Sequence, residues 1–301
     1  MFKKFLMCWA GIVFLTFLPL VYAYGGSGTF LYPGAGARGL GMGSSFVAIA
    51  DDAYAPLWNP AGLSQIEKPQ VGSMYSDKFG LGIKNQFLSL VYPGCAISIF
   101  NTSIDNIPRT EWNGDQPQQI GSFSDEENAV FLSLSFRISN SFSLGINGKY
   151  LYQKLYNKKA SGVSLDVAGF FQPTNWLSLG INVQNIGKTK FKWNTFSSYS
   201  DTIPQNIKAG LCFHLWKDRL LLALDIDKTQ HKKPLYHLGT ETHLFKSFFL
   251  RAGFCQYSDN DSLKDTWTAG MGVRINIIQL DYACVSHPLG TSHIFSLSLN
   301  L

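Results

Sequence analysis

Three side chains with the chemistry of metal ligation or acid–base catalysis lie close together in the sequence: His237, Glu241 and His243. Their spacings of four and two place them on one face of a β-strand, because alternate residues of a strand point to the same side. Such a group is typical of two imidazole ligands with a carboxylate, or of part of a hydrolase site. The alternative is a polar network on that face, which we favour. We therefore expect no metal site, no catalytic centre and no cofactor, and G-x-S-x-G does not occur in the sequence.

A second motif with chemical meaning lies near the N-terminus, where Gly34, Gly36 and Gly39 match G-x-G-x-x-G. In dinucleotide-binding proteins this motif joins a strand to a long helix, and an acidic residue follows about 20 positions later. Here no strand pattern precedes it, and Asp51 and Asp52 come too early. We interpret these glycines as positions where the backbone turns and packs closely in a confined space.

The composition excludes several classes of protein. Charged residues make up 15% of the 301 residues and the mean hydropathy is +0.02. A soluble domain carries about a quarter charged residues, and a bundle of membrane helices is far more apolar. The net charge is +5, but the basic residues are scattered, so no nucleic-acid-binding patch is expected. Aromatic residues at 14% and 28 glycines favour an all-β protein with many turns.

Alternation of apolar and polar residues with a period of two recurs along the chain, as in strands with two different faces. About fourteen segments show it, most with the length of a tilted transmembrane strand. Their predicted spans are 71–77, 84–92, 95–104, 128–138, 141–153, 161–172, 175–186, 206–216, 219–227, 235–245, 248–257, 266–274, 277–285 and 292–300.

The connections between these segments alternate between short and long. Turns such as Pro93-Gly94 and Ser139-Asn140 are short, whereas 105–127 and 187–205 are predicted to be long polar loops. Outer-membrane barrels have this asymmetry. The polar faces carry charges of both signs, which would point into the lumen, pair across it and hold the N-terminal segment: Arg137, Lys149, Asp166, Asp225, Asp227, Glu241, Arg251, Arg274 and Asp281. We therefore predict a transmembrane antiparallel β-barrel of about 14 strands.

The first 23 residues have the anatomy of a secretory signal peptide. Lys3 and Lys4 precede an apolar stretch at 5–20, and Ala23 fits cleavage before Tyr24. A permanent single-helix anchor is the alternative, but the stretch is short for spanning a bilayer. The four cysteines after this segment show no close paired spacing and lie in apolar strand patterns: Cys95, Cys212, Cys255 and Cys284. We interpret them as small apolar residues, with a disulfide left open.

The segment before the first strand is glycine-rich and does not alternate. Its diagnostic pieces are Arg38-Gly39-Leu40-Gly41-Met42-Gly43, Asp51-Asp52 and Trp58-Asn59-Pro60-Ala61-Gly62-Leu63. Over roughly residues 34–65 they resemble the N-terminal signature of PorV/PorQ-type outer-membrane proteins. More distantly, they resemble the FadL long-chain fatty-acid channel family, whose hatch also contains Asn-Pro-Ala. Pro56 departs from the pattern, since it interrupts the short helix expected between Asp52 and Asn59.

The resemblance implies that residues 24–70 form a hatch inside a barrel made of residues 71–301, in the bacterial outer membrane. A barrel of fourteen strands encloses more volume than its side chains fill, so a segment of this length fits inside; a periplasmic extension is the alternative. Asp51 or Asp52 suits the start of a short helix, and Pro60 the first turn of another.

Two functions follow from the resemblance, and neither is enzymatic. The first is a plugged channel for hydrophobic small molecules. The second is a barrel associated with type IX secretion that binds secreted cargo proteins, with loop 105–127 as the contact surface through Trp112, Asp115 and Asp125-Glu126-Glu127. The expected partners are outer-membrane lipid and either a hydrophobic ligand or a secreted protein.

Overall fold

The computed structural model describes residues 34–187, 189–195, 199–245, 247–259 and 262–301. The predicted signal peptide at 1–23 and the first ten residues of the predicted hatch lie outside these ranges. Within them, no helix has the length and apolarity needed to cross a bilayer.

Fourteen long antiparallel strands close into a ring, which confirms the predicted barrel. Each strand pairs with its neighbours in chain order, and the ring closes where the last strand pairs with the first. Two further short strands, Lys190–Trp193 and Ser200–Thr202, pair with each other, and the first of them also pairs with the extracellular end of Lys158–Thr174. The strands are β1 (Gln70–Lys78), β2 (Ile83–Tyr92), β3 (Cys95–Asn113), β4 (Gln116–Arg137), β5 (Phe142–Leu155), β6 (Lys158–Thr174), β7 (Leu177–Gln184), β8 (Lys190–Trp193), β9 (Ser200–Thr202), β10 (Asn206–Leu215), β11 (Leu220–Thr229), β12 (Leu235–Phe245), β13 (Phe248–Asp259), β14 (Ser262–Ile275), β15 (Ile278–Val285) and β16 (Ser292–Asn300).

Burial alternates along the strands as predicted. On β5, Ser143, Asn147 and Lys149 are buried, whereas Leu144 and Tyr150 are exposed. The exposed apolar side chains face outward in a closed ring, so they meet lipid. Exposed aromatic residues lie toward both ends of this outer surface and fit the interfacial belts of membrane barrels; they include Tyr92, Trp176, Trp216 and Phe245 at one end, and Tyr150, Tyr236 and Trp267 toward the other.

The prediction of a long polar loop at 105–127 is wrong. β3 and β4 continue beyond the barrel as a paired hairpin with a tight turn at Gly114-Asp115. Both faces of this extension are exposed, so its sequence lacks the apolar alternation that marks a membrane strand. Residues 154–160, which separate the predicted strands 141–153 and 161–172, are likewise paired except for a tight turn at Tyr156-Asn157. The end with the long hairpin is the extracellular side, since outer-membrane barrels carry their larger loops there.

Residues 34–66, called here the inner segment, lie within the ring of strands. The segment contains α1 (Ala37–Gly41), α2 (Ala55–Trp58) and a 3-10 helix (Pro60–Gln65). Its aromatic side chains are almost completely buried, and its contacts reach strands on opposite sides of the ring, from β5 to β16. Pro56 does not prevent the short helix, because it lies in the first turn of α2, where its missing N–H costs nothing.

Candidate functional site

A buried chain of ion pairs joins the inner segment to the barrel wall. On α1, Arg38 donates from Nε and Nη2 to the Glu241 carboxylate of β12, each at 2.9 Å. Arg251 on β13 donates to the same carboxylate at 2.6 Å and to Asp281 of β15 at 2.7 Å. Glu241 is completely buried, so the charges compensate each other away from water. These four residues form a latch between α1 and three wall strands.

Two acidic residues of the inner segment extend the latch. Asp51 and Asp52 both lie within ion-pair distance of the Arg38 guanidinium, which also stacks on the Phe46 ring at 5.1 Å. Burial raises the pKa of the Asp52 carboxyl to about 6, although Arg38 opposes this shift. Asp52 also accepts from the backbone N–H of Tyr54 at 3.0 Å and so stabilises the turn before α2.

A second anchor is Asp225 on β11. One of its carboxylate oxygens accepts hydrogen bonds from the backbone N–H groups of Phe46 and Val47, at 2.8 and 2.9 Å. Farther round the ring, Lys149 forms an ion pair with Asp166 at 2.6 Å. Asp166 also accepts a hydrogen bond from the backbone N–H of Asn185. The lumen charges therefore fix both the inner segment and the neighbouring loop.

Asparagine side chains form a third set of anchors. From the wall, Asn147 donates to the Pro56 carbonyl at 2.8 Å and Asn182 to the Trp58 carbonyl at 2.9 Å. Within the inner segment, Asn59 donates to the carbonyls of Val47 and Gly169, and its Oδ1 accepts from the N–H at the start of the 3-10 helix. Pro60 is the first residue of that helix, as its sequence position suggested.

Glycine allows close backbone contact between the segment and the wall. Gly43 has a φ of 64°, and an added Cβ would lie 2.6 Å from the carbonyl oxygens of Leu238 and Phe254. On β5, a Cβ at Gly145 would lie 2.2 Å from the Ala61 nitrogen. The remaining motif glycines are buried within the segment, namely Gly39, Gly41 and Gly62, and the Trp58 indole donates to the Ala35 carbonyl at 2.8 Å.

The structure separates the predicted lumen charges into two groups. Lys149, Asp166, Asp225, Glu241, Arg251 and Asp281 are buried, whereas Arg137 and Arg274 are exposed at the periplasmic ends of their strands. Arg137 donates to the Ser64 carbonyl, and Arg274 donates to Gln279. Arg137 therefore contacts the end of the inner segment rather than its buried part.

The three residues first considered as a metal or catalytic group do not converge on one point. His237 donates from Nδ1 to the Gly43 carbonyl at 3.0 Å, whereas His243 lies 3.4 Å from Glu241. In the described part of the chain, no group of three or more histidine, cysteine or acidic side chains is arranged to hold a metal ion. His237 and Glu241 contact the inner segment, whereas His243 contacts Glu241 within the wall.

A cavity of about 340 Å³ lies in the lumen on the extracellular side of the inner segment. Val47 contributes to its floor, and its wall combines apolar groups such as Leu235 and Cys255 with Lys208 and Asp227. A larger depression of about 760 Å³ lies at strands β1–β3 and β14–β16 and includes exposed apolar residues such as Tyr75 and Leu88, so it opens toward lipid. Of these two spaces, the first is placed to receive a molecule that enters the lumen.

Comparison with protein families decides what kind of barrel this is. The family model for the type IX secretion system protein PorV matches residues 24–232, more than half of the chain. The chain belongs to the PorV family. No curated protein matches the sequence significantly.

Solved structures share the fold of this PorV-family chain. The CymD monoaromatic hydrocarbon channel has a TM-score of 0.65 at 13% identity, covering 89% of this chain and 98% of its own. The P. putida toluene transporter TodX has a TM-score of 0.62 at 12% identity, covering 89% and 99%. A Pseudomonas aeruginosa FadL homologue has a TM-score of 0.60 at 14% identity, covering 91% and 99%. At such identities the likeness concerns the fold.

The family and the architecture together give the location of the protein. A PorV-family barrel with an apolar outer face and paired backbone groups is an integral protein of the bacterial outer membrane. Its four described cysteines are free thiols, with Cys212 buried beneath the inner segment and the others partly buried. The disulfide left open by the sequence does not form.

Proposed function

We propose that this barrel is a plugged channel that binds hydrophobic small molecules above the inner segment and passes them inward when the segment moves. The observation that carries the proposal is the 340 Å³ cavity bounded by the inner segment and strands β10–β13. Ligand pockets have volumes of roughly 300–1,000 Å³ and combine apolar walls with a few polar groups. A small aromatic molecule fits such a space.

The inner segment has the properties that a plug requires. It lies in the lumen below the cavity with its aromatic side chains almost completely buried, and in this proposal a molecule crosses the barrel only if the segment shifts. Its attachment depends on a few strong anchors, above all the latch and Asp225. A segment held in this way moves as a unit when its anchors release. The similar barrels CymD and TodX are a monoaromatic hydrocarbon channel and a toluene transporter, which supports this class of ligand.

The test is uptake of radiolabelled toluene by a deletion strain that carries the wild-type gene or a variant. Cys255→Phe fills the cavity with an aromatic ring and should lower uptake toward that of the deletion strain. Cys284→Phe is the matched control, because Cys284 lies on the outward face of β15, and it should preserve uptake. Heat-modifiable gel mobility verifies that both barrels fold. Equal uptake with and without the gene would contradict the proposal.

A second candidate function, the binding of secreted cargo, is favoured by the hairpin of β3 and β4. Beyond Ile104 and Asp125 this hairpin has no strand partner on either side, and free strand edges are templates for β-strand addition. Trp112 near its tip is 75% exposed. Together with the name of the family, these features suggest an extracellular contact surface.

Shortening this hairpin separates the two functions. Replacement of residues 107–121 by a two-residue turn leaves the membrane part of the barrel intact. If the hairpin binds cargo, co-purification of secreted proteins is lost while toluene uptake persists. If secreted proteins remain bound to the shortened barrel, the hairpin is not the contact surface.

A further inference from the structure

Four lysines form a basic cluster on the outward face of the barrel near its extracellular end. Lys154 on β5 lies directly opposite Lys159 on β6, and Lys192 on β8 lies opposite Ser161 of β6. Lys190 shares the face of Lys192, because the intervening Phe191 is buried. All four side chains are exposed. Like charges directly opposite each other destabilise a strand pair, so this cluster favours a bound anion.

The cluster differs from two other basic residues at the same end of the barrel. Lys84 pairs with Asp105 at 3.0 Å, and Arg109 pairs with Glu111. Among the described residues, no carboxylate lies within ion-pair distance of the four lysines, although Glu126 faces Lys154 in the next strand. The three lysines farther from Glu126 thus present uncompensated positive charge beside the membrane: Lys159, Lys190 and Lys192.

A groove of about 660 Å³ lies directly below these lysines. It exists because the strand ladder is interrupted there: Ile186 still donates to the Leu165 carbonyl at 2.9 Å, but pairing resumes only at Lys192. Thr189 contacts Ser164, which is buried on the lumen face. Thr189 therefore lies on the inner side of the wall, and a groove between Leu165 and Lys192 is open to lipid.

The lining of the groove fits a lipid molecule. Val163 is 73% exposed and, with Leu165 and Ile186, gives an apolar surface, while Lys190 and Lys192 border it. Tyr150 also lines it, and tyrosine is enriched at the level of lipid headgroups. Lysine side chains place their charge at this level while their methylene groups cover apolar surface.

We propose that this cluster and groove bind a lipid of the outer leaflet whose phosphate headgroup carries a net negative charge. The lysine ammonium groups pair with the headgroup phosphate, and an acyl chain lies in the groove along Val163 and Leu165. The inference depends on the placement of the barrel in the membrane and is independent of what passes through the lumen. The lipid would also shield the like charges of Lys154 and Lys159 from each other.

The experiment uses the full-length protein in neutral detergent and native mass spectrometry. Phosphatidylglycerol and phosphatidylcholine with identical acyl chains are titrated, and the bound fractions are compared. The wild type should retain phosphatidylglycerol more strongly. Lys159→Gln/Lys190→Gln/Lys192→Gln should weaken this binding by about fivefold per lysine, on the order of 100-fold in total. Binding of phosphatidylcholine should be unchanged.

A control removes the same charge elsewhere on the surface. Lys68→Gln/Lys217→Gln/Lys264→Gln changes three exposed lysines outside the cluster and should bind phosphatidylglycerol as the wild type does. Equal loss in both triple variants, or equal binding of both lipids by the wild type, would overturn the proposal. Displacement of the lipid by an equal concentration of glycerol phosphate would also overturn it, because the site would then recognise a free anion rather than a lipid.

Discussion

Replacement of Arg38 by glutamine tests the latch. It removes the guanidinium that joins α1 to β12 but leaves Glu241 paired with Arg251 at 2.6 Å. Removing one partner of a buried ion pair costs about 3–5 kcal/mol, mainly because the other charge is left uncompensated. Since Glu241 keeps one arginine, the expected loss lies near 3 kcal/mol. Asp51 adds little, because its side chain is 40% exposed.

Cys212 on β10 is a natural reporter for movement of the inner segment. It is completely buried, and it lies opposite Ser178, whose hydroxyl donates to the Ala48 carbonyl at 2.6 Å. A maleimide reaches Cys212 only when this part of the segment leaves the wall. If labelling follows the open fraction, a loss of about 3 kcal/mol accelerates it by roughly 100-fold.

The assay uses a background in which the three other described cysteines are serine, so that only Cys212 is followed after export: Cys95, Cys255 and Cys284. Arg137→Gln is the matched control, because Arg137 contacts the segment only at the exposed periplasmic end. It should label within about threefold of its parent, a difference that corresponds to less than 1 kcal/mol. If Arg38→Gln labels no faster than Arg137→Gln, the latch does not hold the segment and the reasoning is refuted.

Two further predictions concern the fit and the charge of the inner segment. Gly145→Ala should accelerate labelling of Cys212, because the added Cβ meets the Ala61 nitrogen at 2.2 Å and such overpacking costs about 1–3 kcal/mol. Gly148→Ala on the same strand meets nothing within 4 Å, so an equal effect there would show that the change acts on the strand itself. Because the pKa of Asp52 is raised to about 6, its contribution to stability is present at pH 4 and is lost as the pH rises through 6. Lowering the pH from 7.5 to 4.5 should therefore raise the unfolding temperature of the wild type relative to that of Asp52→Asn. Heat-modifiable gel mobility measures both unfolding temperatures. If the unfolding temperatures of the two proteins change equally with pH, Asp52 does not have this role.

The number of strands and the face on which each side chain lies were predictable, because in a membrane barrel apolar side chains that face lipid alternate with polar side chains that face the lumen. Alternation put Lys149 and Asp166 on the inner face of their strands, and the structure buries both. The part of the hairpin beyond Ile104 was not predicted as strand, because this alternation stops where the strands leave the membrane. Outside the membrane both of its faces meet water, so alternation is not required and a polar strand resembles a loop.

The anchors of the inner segment were predictable as residue types but not as pairs. Arg38 and Glu241 are separated by 203 positions in the sequence, and their contact depends on the depth at which the segment lies in the ring. Asn147 and Asn182 were not recognised, because an asparagine that binds a backbone carbonyl resembles any other polar lumen residue in sequence. The motif glycines gave a usable signal, since close backbone approach requires glycine at Gly43.

Single-channel recording in a planar bilayer measures whether the inner segment closes the lumen. If the inner segment closes the lumen, the full-length wild-type protein should show almost no ion conductance. Arg38→Gln should show discrete openings to a much larger conductance as the segment leaves its place. A wild-type protein that conducts continuously, at the level of the variant's open state, would contradict the account.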